Sequence, residues 1–278
     1  MTAPRLQTRH GLQIEERFGY SQGLVAGGLI YVAGQVPRDQ RGLPIAQPEL
    51  AAKFEKTASN IAAILERLNS SLDALVYVQL HVMPDLQSCW SELAGLARRF
   101  FAPAQPAGTI VQVDGLNHPS YMIEISAIAA TSTPTGASHN EEPSMSSKRE
   151  NVDPASPLET QCGFSSAVRA GKQIFISGQM SLDPSGKLLH PGDVGAQFDQ
   201  ALKNFAAVLE RAGASPDQVV ATHMFLTAQP DERQFVAICD AHRTMFGGAN
   251  HPTGTMVYVP KLPVPGAMVS ITGTAVID

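Results

Sequence analysis

The chain has 278 residues and a mass of 29.6 kDa, and at roughly 100–200 residues per domain this length predicts two domains, with one large domain as the alternative. Apolar residues make up 44%, which is enough for a buried core, but charged residues make up only 16%, below the roughly 25% of typical soluble domains. So few charges indicate that partner subunits cover part of the surface. The net charge of −5 argues against a protein that tracks nucleic-acid phosphates.

Hydrophobic periodicity predicts the same series of elements in each half of the chain. In the first half it predicts a hairpin over 24–33, a helix over about 48–68, a strand over 75–82, a helix over 86–101, and strands over 108–113 and 121–129. In the second half it predicts a hairpin over 167–177, a helix over about 194–212, a strand over 219–226, a helix over 231–246, and strands over 254–259 and 267–276. This order is typical of an α+β protein with its helices on one face of a sheet.

The sequence also repeats itself. Gly28-Leu-Ile-Tyr-Val-Ala-Gly-Gln35 returns as Lys172-Gln-Ile-Phe-Ile-Ser-Gly-Gln179, an offset of 144 positions. Residues 60–67 return at the same offset as 204–211, Pro-Ala-Gly-Thr at 106–109 returns as Pro-Thr-Gly-Thr at 252–255, and residues 122–126 return as 268–272. A period this long predicts a tandem pair of whole domains and not a solenoid.

The two halves are joined by residues 131–157, which are rich in Ser, Thr, Pro and charged residues. A segment with so little to bury predicts a flexible linker. The predicted domains are therefore residues 1–130 and 158–278.

Three features bear on the cellular compartment and on metals. The chain has three cysteines and no CxxC pair, so neither a disulfide framework nor a zinc site is predicted, and reduced thiols are expected. The first twenty residues lack the apolar core of a signal peptide, and no apolar run reaches the roughly 18–20 residues of a membrane helix. The histidines show no HxH or HxxxH spacing, so no metal is expected. We expect a cytoplasmic protein.

The segments Phe18-Gly-Tyr-Ser-Gln22 and Leu29-Ile-Tyr-Val-Ala-Gly-Gln35 resemble the opening of the YjgF/RidA (reactive intermediate deaminase) family. Residues 106–113 and 122–129 resemble its last strands, so the likeness covers about 14–130 and 158–277. The resemblance implies two tandem chorismate-mutase-like domains, each a mostly antiparallel sheet with two helices on one face. It also implies that three such domains surround a barrel, with ligand clefts between neighbouring domains.

The resemblance implies hydrolysis of a small enamine or imine to a carbonyl compound and ammonia, with no cofactor. Aminomuconate-type deaminases of aromatic catabolism are also similar to this family, so an unsaturated amino-dicarboxylate is an expected substrate class. One alternative is a non-catalytic, ligand-binding scaffold. Another is an endoribonuclease, which the net charge of −5 and the lack of a basic run disfavour.

The resemblance places the family acid at Glu124 and the family loop tyrosine at Tyr20, and both are expected to be catalytic. The same positions in the second half hold Ser270 and Phe164, so the second half is expected to be mainly scaffold. The alternatives are a solvent-facing carboxylate for Glu124 and a structural loop aromatic for Tyr20.

The family arginine that binds the substrate carboxylate is matched by glycine in both halves, and a threonine follows each glycine. The expected substrate-binding residues are Gly34, Gly108, Thr109, Gly178, Gly254, Thr255, His251 and Cys239. The competent cleft is expected to combine mainly Tyr20, Gly34, Gly108, Thr109 and Glu124, and the sequence leaves open both closure by a neighbouring chain and a cleft lined by both halves. Because three domains form one barrel, the two-domain chain is expected to be a homotrimer of six domains and two barrels, with no nucleic-acid or membrane partner.

Overall fold

The computed structural model describes residues 6–9, 15, 21–131, 149–154, 156–246 and 251–277. These residues form two six-stranded sheets. The first sheet contains β1 (Gln7–Thr8), β2 (Gly23–Ala26), β3 (Leu29–Gln35), β4 (Leu75–Val82), β5 (Ala107–Gln112) and β6 (Ile123–Ala130). The second contains β7 (Arg149–Val152), β8 (Ala167–Ala170), β9 (Gln173–Met180), β10 (Val219–Leu226), β11 (Thr253–Tyr258) and β12 (Val269–Val276).

The first sheet is accompanied by α1 (Leu50–Arg67) and α2 (Leu86–Phe101), and the second by α3 (Pro157–Cys162), α4 (Val194–Arg211) and α5 (Glu232–Phe246). Short 3₁₀ turns at Leu72–Ala74 and Pro216–Gln218 precede β4 and β10. None of the helices within the described residues is long and apolar enough to cross a membrane.

The two sheets have the same topology. Their strand orders are β1-β2-β3-β6-β4-β5 and β7-β8-β9-β12-β10-β11, which correspond strand by strand under the sequence repeat. Only β4 with β5 and β10 with β11 pair in parallel, and the other neighbouring strands are antiparallel. The predicted α+β fold of two tandem, mostly antiparallel domains is confirmed.

The two long helices of each domain pack on one face of its sheet, whereas α3 packs against α2 of the first domain. In α1 the apolar residues recur at the helical period and are fully buried, as Phe54, Ala58, Ile61, Ile64 and Leu65 show. In the strands every second side chain points away from this core. The side chains on that opposite face are therefore the ones that can build a site.

Three elements were not predicted from the sequence: β1, β7 and α3. The strand β7 lies inside the segment that was expected to be a flexible linker, and it pairs with β8. The second sheet therefore begins at Arg149. Residues 132–148 of the expected linker lie outside the described residues.

The two domains pack directly against each other through the faces that carry no helices. An apolar cluster joins Leu29, Val76 and Ala107 of the first domain to Val168 and Phe175 of the second. The edge strand β5 lies against β9, and an ion pair joins Asp85 to Lys261, which lowers the pKa of Asp85 to about 2. One edge of the first sheet is thus covered by the second domain.

Candidate functional site

Glu124 lies on β6 between the buried residues Ile123 and Ile125. Because side chains alternate along a strand, its carboxylate points to the face away from the helices. It is half-buried and stands directly opposite His81 of β4 in the antiparallel register. Gly34, at the end of β3, lies so close that a Cβ atom there would overlap the Glu124 Oε1. The structure therefore brings together Glu124 and Gly34, two of the residues expected in the site.

The surroundings of Glu124 change how it binds a proton. Burial raises the pKa of its carboxyl, and the positive charge of Arg38 partly opposes that rise. Burial also lowers the pKa of His81, so a neutral imidazole faces the carboxyl. The His81 Nε2 is hydrogen-bonded to the Gln79 side-chain nitrogen at 2.9 Å. A raised pKa makes a carboxyl a better proton acceptor, and the same group can afterwards return the proton.

Tyr20, the second expected catalytic residue, lies outside the described residues. On both sides of Tyr20 in the sequence, buried polar side chains are linked by hydrogen bonds. The Gln35 Nε2 donates to the Gln22 Oε1 at 2.7 Å, and the Gln22 Nε2 donates to the Glu15 Oε1 at 2.7 Å. In the second domain the Gln179 Nε2 donates to Glu159 at 3.3 Å, at the same repeat positions. The network joins Glu15 to the end of β3 in the first domain and α3 to β9 in the second.

The other expected residues of the first half lie elsewhere. Gly108 and Thr109 are on β5, and they face the second domain instead of Glu124. The Gly108 amide donates to the Ser177 Oγ at 2.8 Å, and a Cβ atom at Gly108 would overlap the ring of Phe164. A Cβ atom at Gly178 would lie 2.7 Å from the Ser270 Oγ and 3.3 Å from the Thr109 Oγ1.

Within one chain the structure therefore does not bring Gly108 and Thr109 together with Gly34 and Glu124. The physical reason is the strand order, because β4 separates β6 from β5, and β5 forms the edge that packs on the second domain. The cleft between the two domains is lined by β5 of the first domain and by β9 and β12 of the second, which are the counterparts of β3 and β6.

The cleft between the two domains of the chain is nearly filled. Phe164 is 4% exposed and takes up the space beside Gly108. The cavity that remains there has a volume of about 30 Å³. That volume holds one or two waters and is too small for a substrate. No carboxylate stands at the position of Ser270, so this cleft offers no acid at the place that Glu124 occupies in the first domain.

The remaining expected residues lie on the outside of the second domain. Gly254 and Thr255 are exposed on the edge strand β11, and the nearest atoms to a Cβ at Gly254 belong to Met224 and Thr222 of the same domain. His251 is exposed just before β11, and Cys239 is exposed on α5, so neither lies beside Glu124 within the chain. Within the described residues no group of three His, Cys, Asp or Glu side chains is arranged to hold a metal ion.

Sequence reasoning missed Arg38 and His81 as members of the site. Arg38 follows β3 and is only 8% exposed, and its charge acts on both Glu124 and Tyr121. The internal repeat could have revealed both residues. At the equivalent positions, 144 residues later, the second domain has Leu182 in place of Arg38 and Phe225 in place of His81. The first domain is polar at these two positions, whereas the second is apolar.

The close approach of Gly34 to Glu124 gives a direct test of the site. Gly34→Ala is expected to displace the carboxylate and to lower turnover at least about tenfold, because an ångström of misplacement in a site costs up to about a hundredfold. The matched control is Gly178→Ala, in which the new Cβ meets a serine hydroxyl instead of a carboxylate. Steady-state kinetics would contradict the assignment if the two variants lost equal activity.

Comparison with known proteins gives a consistent result for both domains. The profile of the family described as Endoribonuclease L-PSP matches residues 12–131 and 155–277. The 2-iminobutanoate/2-iminopropanoate deaminase of Mus musculus is 37% identical over 113 residues, which is 41% of this chain and 80% of that protein. The Homo sapiens protein of the same name is 33% identical over 113 residues, 41% of this chain and 79% of that protein.

Among solved structures, a Mycobacterium tuberculosis member of the YjgF/YER057c/UK114 family is 25% identical. The match covers 46% of this chain and 100% of that chain, with a TM-score of 0.41. Each of these relatives thus corresponds in length to one of the two domains described above. Because the family profile matches both halves and leaves out mainly the segment between them, the chain belongs to the Endoribonuclease L-PSP (YjgF/RidA) family as a tandem pair of its domains.

Proposed function

We propose that the chain is a hydrolytic deaminase of small enamines or imines, and that its chemistry takes place beside Glu124 in the first domain. The observation that carries this proposal is the half-buried Glu124 carboxyl, whose pKa is raised by burial and which contacts Gly34 on an open face of the sheet. The names of the mouse and human relatives support the reaction class.

In the proposed reaction an enamine first gains a proton at carbon and becomes a protonated imine. The Glu124 carboxylate then accepts a proton from water while the water oxygen bonds to the imine carbon and the π electrons move to nitrogen. The protonated Glu124 returns that proton to the amino nitrogen, the C–N bond breaks and ammonia leaves. The remaining hydroxyl proton passes to ammonia, so protonated imine and water give a carbonyl compound and ammonium. A group that both accepts and donates protons needs the raised pKa that burial provides here.

The substrate class is a finer proposal. We propose an imine or enamine that carries a carboxylate, with 2-aminomuconate-type compounds from aromatic catabolism as one group to be tested. A cytoplasmic location likewise remains a prediction from the sequence.

The test is ammonia release from an enamine or imine generated in the assay, measured against a control without the protein. Imines derived from small amino acids and 2-aminomuconate are compared as substrates. Faster release with either supports a deaminase, and the preferred compound identifies the substrate class. Release at the uncatalysed rate with every compound, together with tight binding of one of them, would instead support the non-catalytic scaffold.

We further propose that a second copy of the chain completes the cleft beside Glu124. The repeat supplies the argument, because Val76 and Val111 are fully buried where the second domain covers the first. Their counterparts Val220 and Val257 are 45% and 39% exposed on the second domain. Three further apolar side chains of the second domain are exposed, namely Phe235, Val236 and Tyr258 at 45%, 53% and 52%. An exposed apolar surface of this extent is typical of a protein interface.

The face that would cover this surface is also present on the chain. The second domain uses Phe175, 2% exposed, to pack on the first domain, and the counterpart of Phe175 in the first domain is Tyr31, which is 37% exposed. The first domain of one copy can therefore pack on β11 of another as the second domain packs on β5. This contact would place Gly254 and Thr255 of one copy opposite Gly34 and Glu124 of the other.

The homotrimer expected from the sequence remains a prediction. It corresponds to a mass of about 89 kDa, three times 29.6 kDa. Light scattering with size exclusion measures this mass directly. A dimer would keep the proposed contact but make the number of copies wrong, whereas a stable monomer at micromolar concentration would contradict the contact itself.

A further inference from the structure

Arg38 is a buried cation whose side chain is not fully paired. It is 8% exposed, and its Nη2 is buried without a hydrogen-bond partner among the described residues. Its backbone is held on both sides, because its amide donates to the Val36 carbonyl at 2.8 Å and its carbonyl accepts from the Asn60 Nδ2 at 3.1 Å. A buried charged donor without a partner is costly, so its presence in a well-packed fold needs an explanation.

The repeat shows which way this position faces. The counterpart of Arg38 is Leu182, which packs with Met180 and Phe225 of its own domain and with Val111 of the first domain. The Leu182 side chain therefore lies at the cleft between domains. The matching cleft of the first domain is the one beside Glu124. By the repeat, the Arg38 guanidinium there takes the place that the Leu182 side chain has in the cleft between the two domains.

The neighbours of Arg38 do not neutralise it fully. Burial raises the pKa of Glu124 and of Tyr121, and the charge of Arg38 only partly opposes that rise. Among the described residues, Arg38 and Glu124 form no ion pair, defined as a nitrogen and a carboxylate oxygen within 4.0 Å. Arg38 thus keeps a donor without a partner, and its repeat counterpart Leu182 lies at the cleft between domains.

We propose that Arg38 binds the carboxylate of the substrate beside Glu124, so that this site takes an imine or enamine of a carboxylic acid. This inference rests on the function proposed above. A guanidinium presents paired donors that match the two oxygens of a carboxylate. The position of Arg38 also accounts for a glycine at position 254, which the proposed contact between copies places opposite Glu124, because the anchoring cation lies on the same domain as the acid.

Arg38 also borders a polar cavity of about 150 Å³ beside α1, which Lys56 and Arg67 line as well. An anion held in that cavity would be bound by several cations on the helix side of the sheet. The proposal places the anion on the other side, at Glu124. Variants of Arg38 and Lys56 therefore distinguish the two locations.

The experiment measures binding by calorimetry on the full-length protein, so its outcome does not depend on turnover. The probes are 2-oxobutanoate and its uncharged counterpart 2-oxobutanamide. We expect Arg38→Gln to weaken the binding of 2-oxobutanoate at least about tenfold and to leave that of 2-oxobutanamide unchanged. Arg38→Lys should retain part of the affinity, because lysine keeps the charge but loses the paired donors. Lys56→Gln and the exposed Arg41→Gln serve as matched controls and should bind as the wild type does.

Three outcomes overturn the proposal: no preference of the wild type for the carboxylate probe, equal affinities for Arg38→Gln and wild type, or an equal loss in Lys56→Gln. Melting temperatures identify variants that fail to fold, and Arg38→Lys then provides the comparison. Carboxylate binding that depends on Arg38, without any ammonia release, would support this site and reject the deaminase. Ammonia release that is unaffected in Arg38→Gln would reject the site and support the deaminase.

Discussion

Glu124→Gln is expected to lower deaminase turnover at least about a hundredfold, because general acid–base catalysis contributes about 10²–10⁴ in rate. The substitution keeps the size of the side chain but removes the group that accepts and returns the proton. The carboxyl of Glu124 accepts no hydrogen bond from another described side chain that glutamine would break, and its neighbour Gly34 offers no side-chain contact. The melting temperature and the mass of the assembly should therefore remain almost unchanged.

Two control variants show whether the loss is specific. Glu66→Gln removes an exposed carboxylate from α1, and Ser270→Ala changes the position in the second domain that corresponds to Glu124. Both should keep most of the activity. Full turnover in Glu124→Gln, together with a large loss from a change at His251 or Cys239, would show that the chemistry takes place in the second half of the chain.

The second expected result is that two inactive variants regain activity when they are mixed. Gly254→Phe should fold normally, because a Cβ atom at this exposed glycine has 3.6 Å or more to its nearest neighbours. In the assembly its ring would fill the cleft of the neighbouring copy, as Phe164 fills the cleft beside Gly108. Gly254→Phe alone and Glu124→Gln alone should thus both be nearly inactive.

When the two variants are dissociated and assembled together at equal amounts, about one quarter of the contacts should by chance join an intact Glu124 to an intact Gly254. Turnover should then rise to about a quarter of the wild-type value per site. The matched control mixes wild type with the double variant, which has the same number of altered residues. If labelled chains exchange but activity does not return, the site lies within one chain and the proposed contact is wrong.

Local structure followed closely from the sequence. The strands at 75–82 and 219–226 and the helix at 86–101 have the predicted bounds, because each has a regular apolar period and a clear end. The N-cap of α2 is Asp85, whose carboxylate accepts from the Ser88 amide at 3.0 Å. The prediction failed for β7, because an edge strand of four residues with two exposed side chains has no apolar alternation to detect.

Only part of the candidate site could be predicted from the sequence. Glu124 is recognisable because a carboxylate interrupts an apolar strand, and Gly34 is recognisable as a repeated glycine. Arg38 and His81 were missed, because an arginine in a turn and a histidine on a strand usually face solvent. Their burial results from the sheet and turn that surround them, and no local pattern in the sequence reports it.

Three properties can be read directly from the residues: the duplication, the order of elements in each half, and the absence from the second half of the carboxyl of Glu124 and the hydroxyl of Tyr20. These properties depend on residue type and local periodicity, which a single chain displays directly. The position of each glycine relative to Glu124 depends instead on the tertiary fold, which brings Gly34 close to it but not Gly108. Gly108 and Glu124 belong to one domain, but the strand order places them on different sides of it, towards different neighbours. Contacts across a sheet and across a domain boundary join residues that are far apart in sequence. Which residues come into contact depends on how whole surfaces pack together.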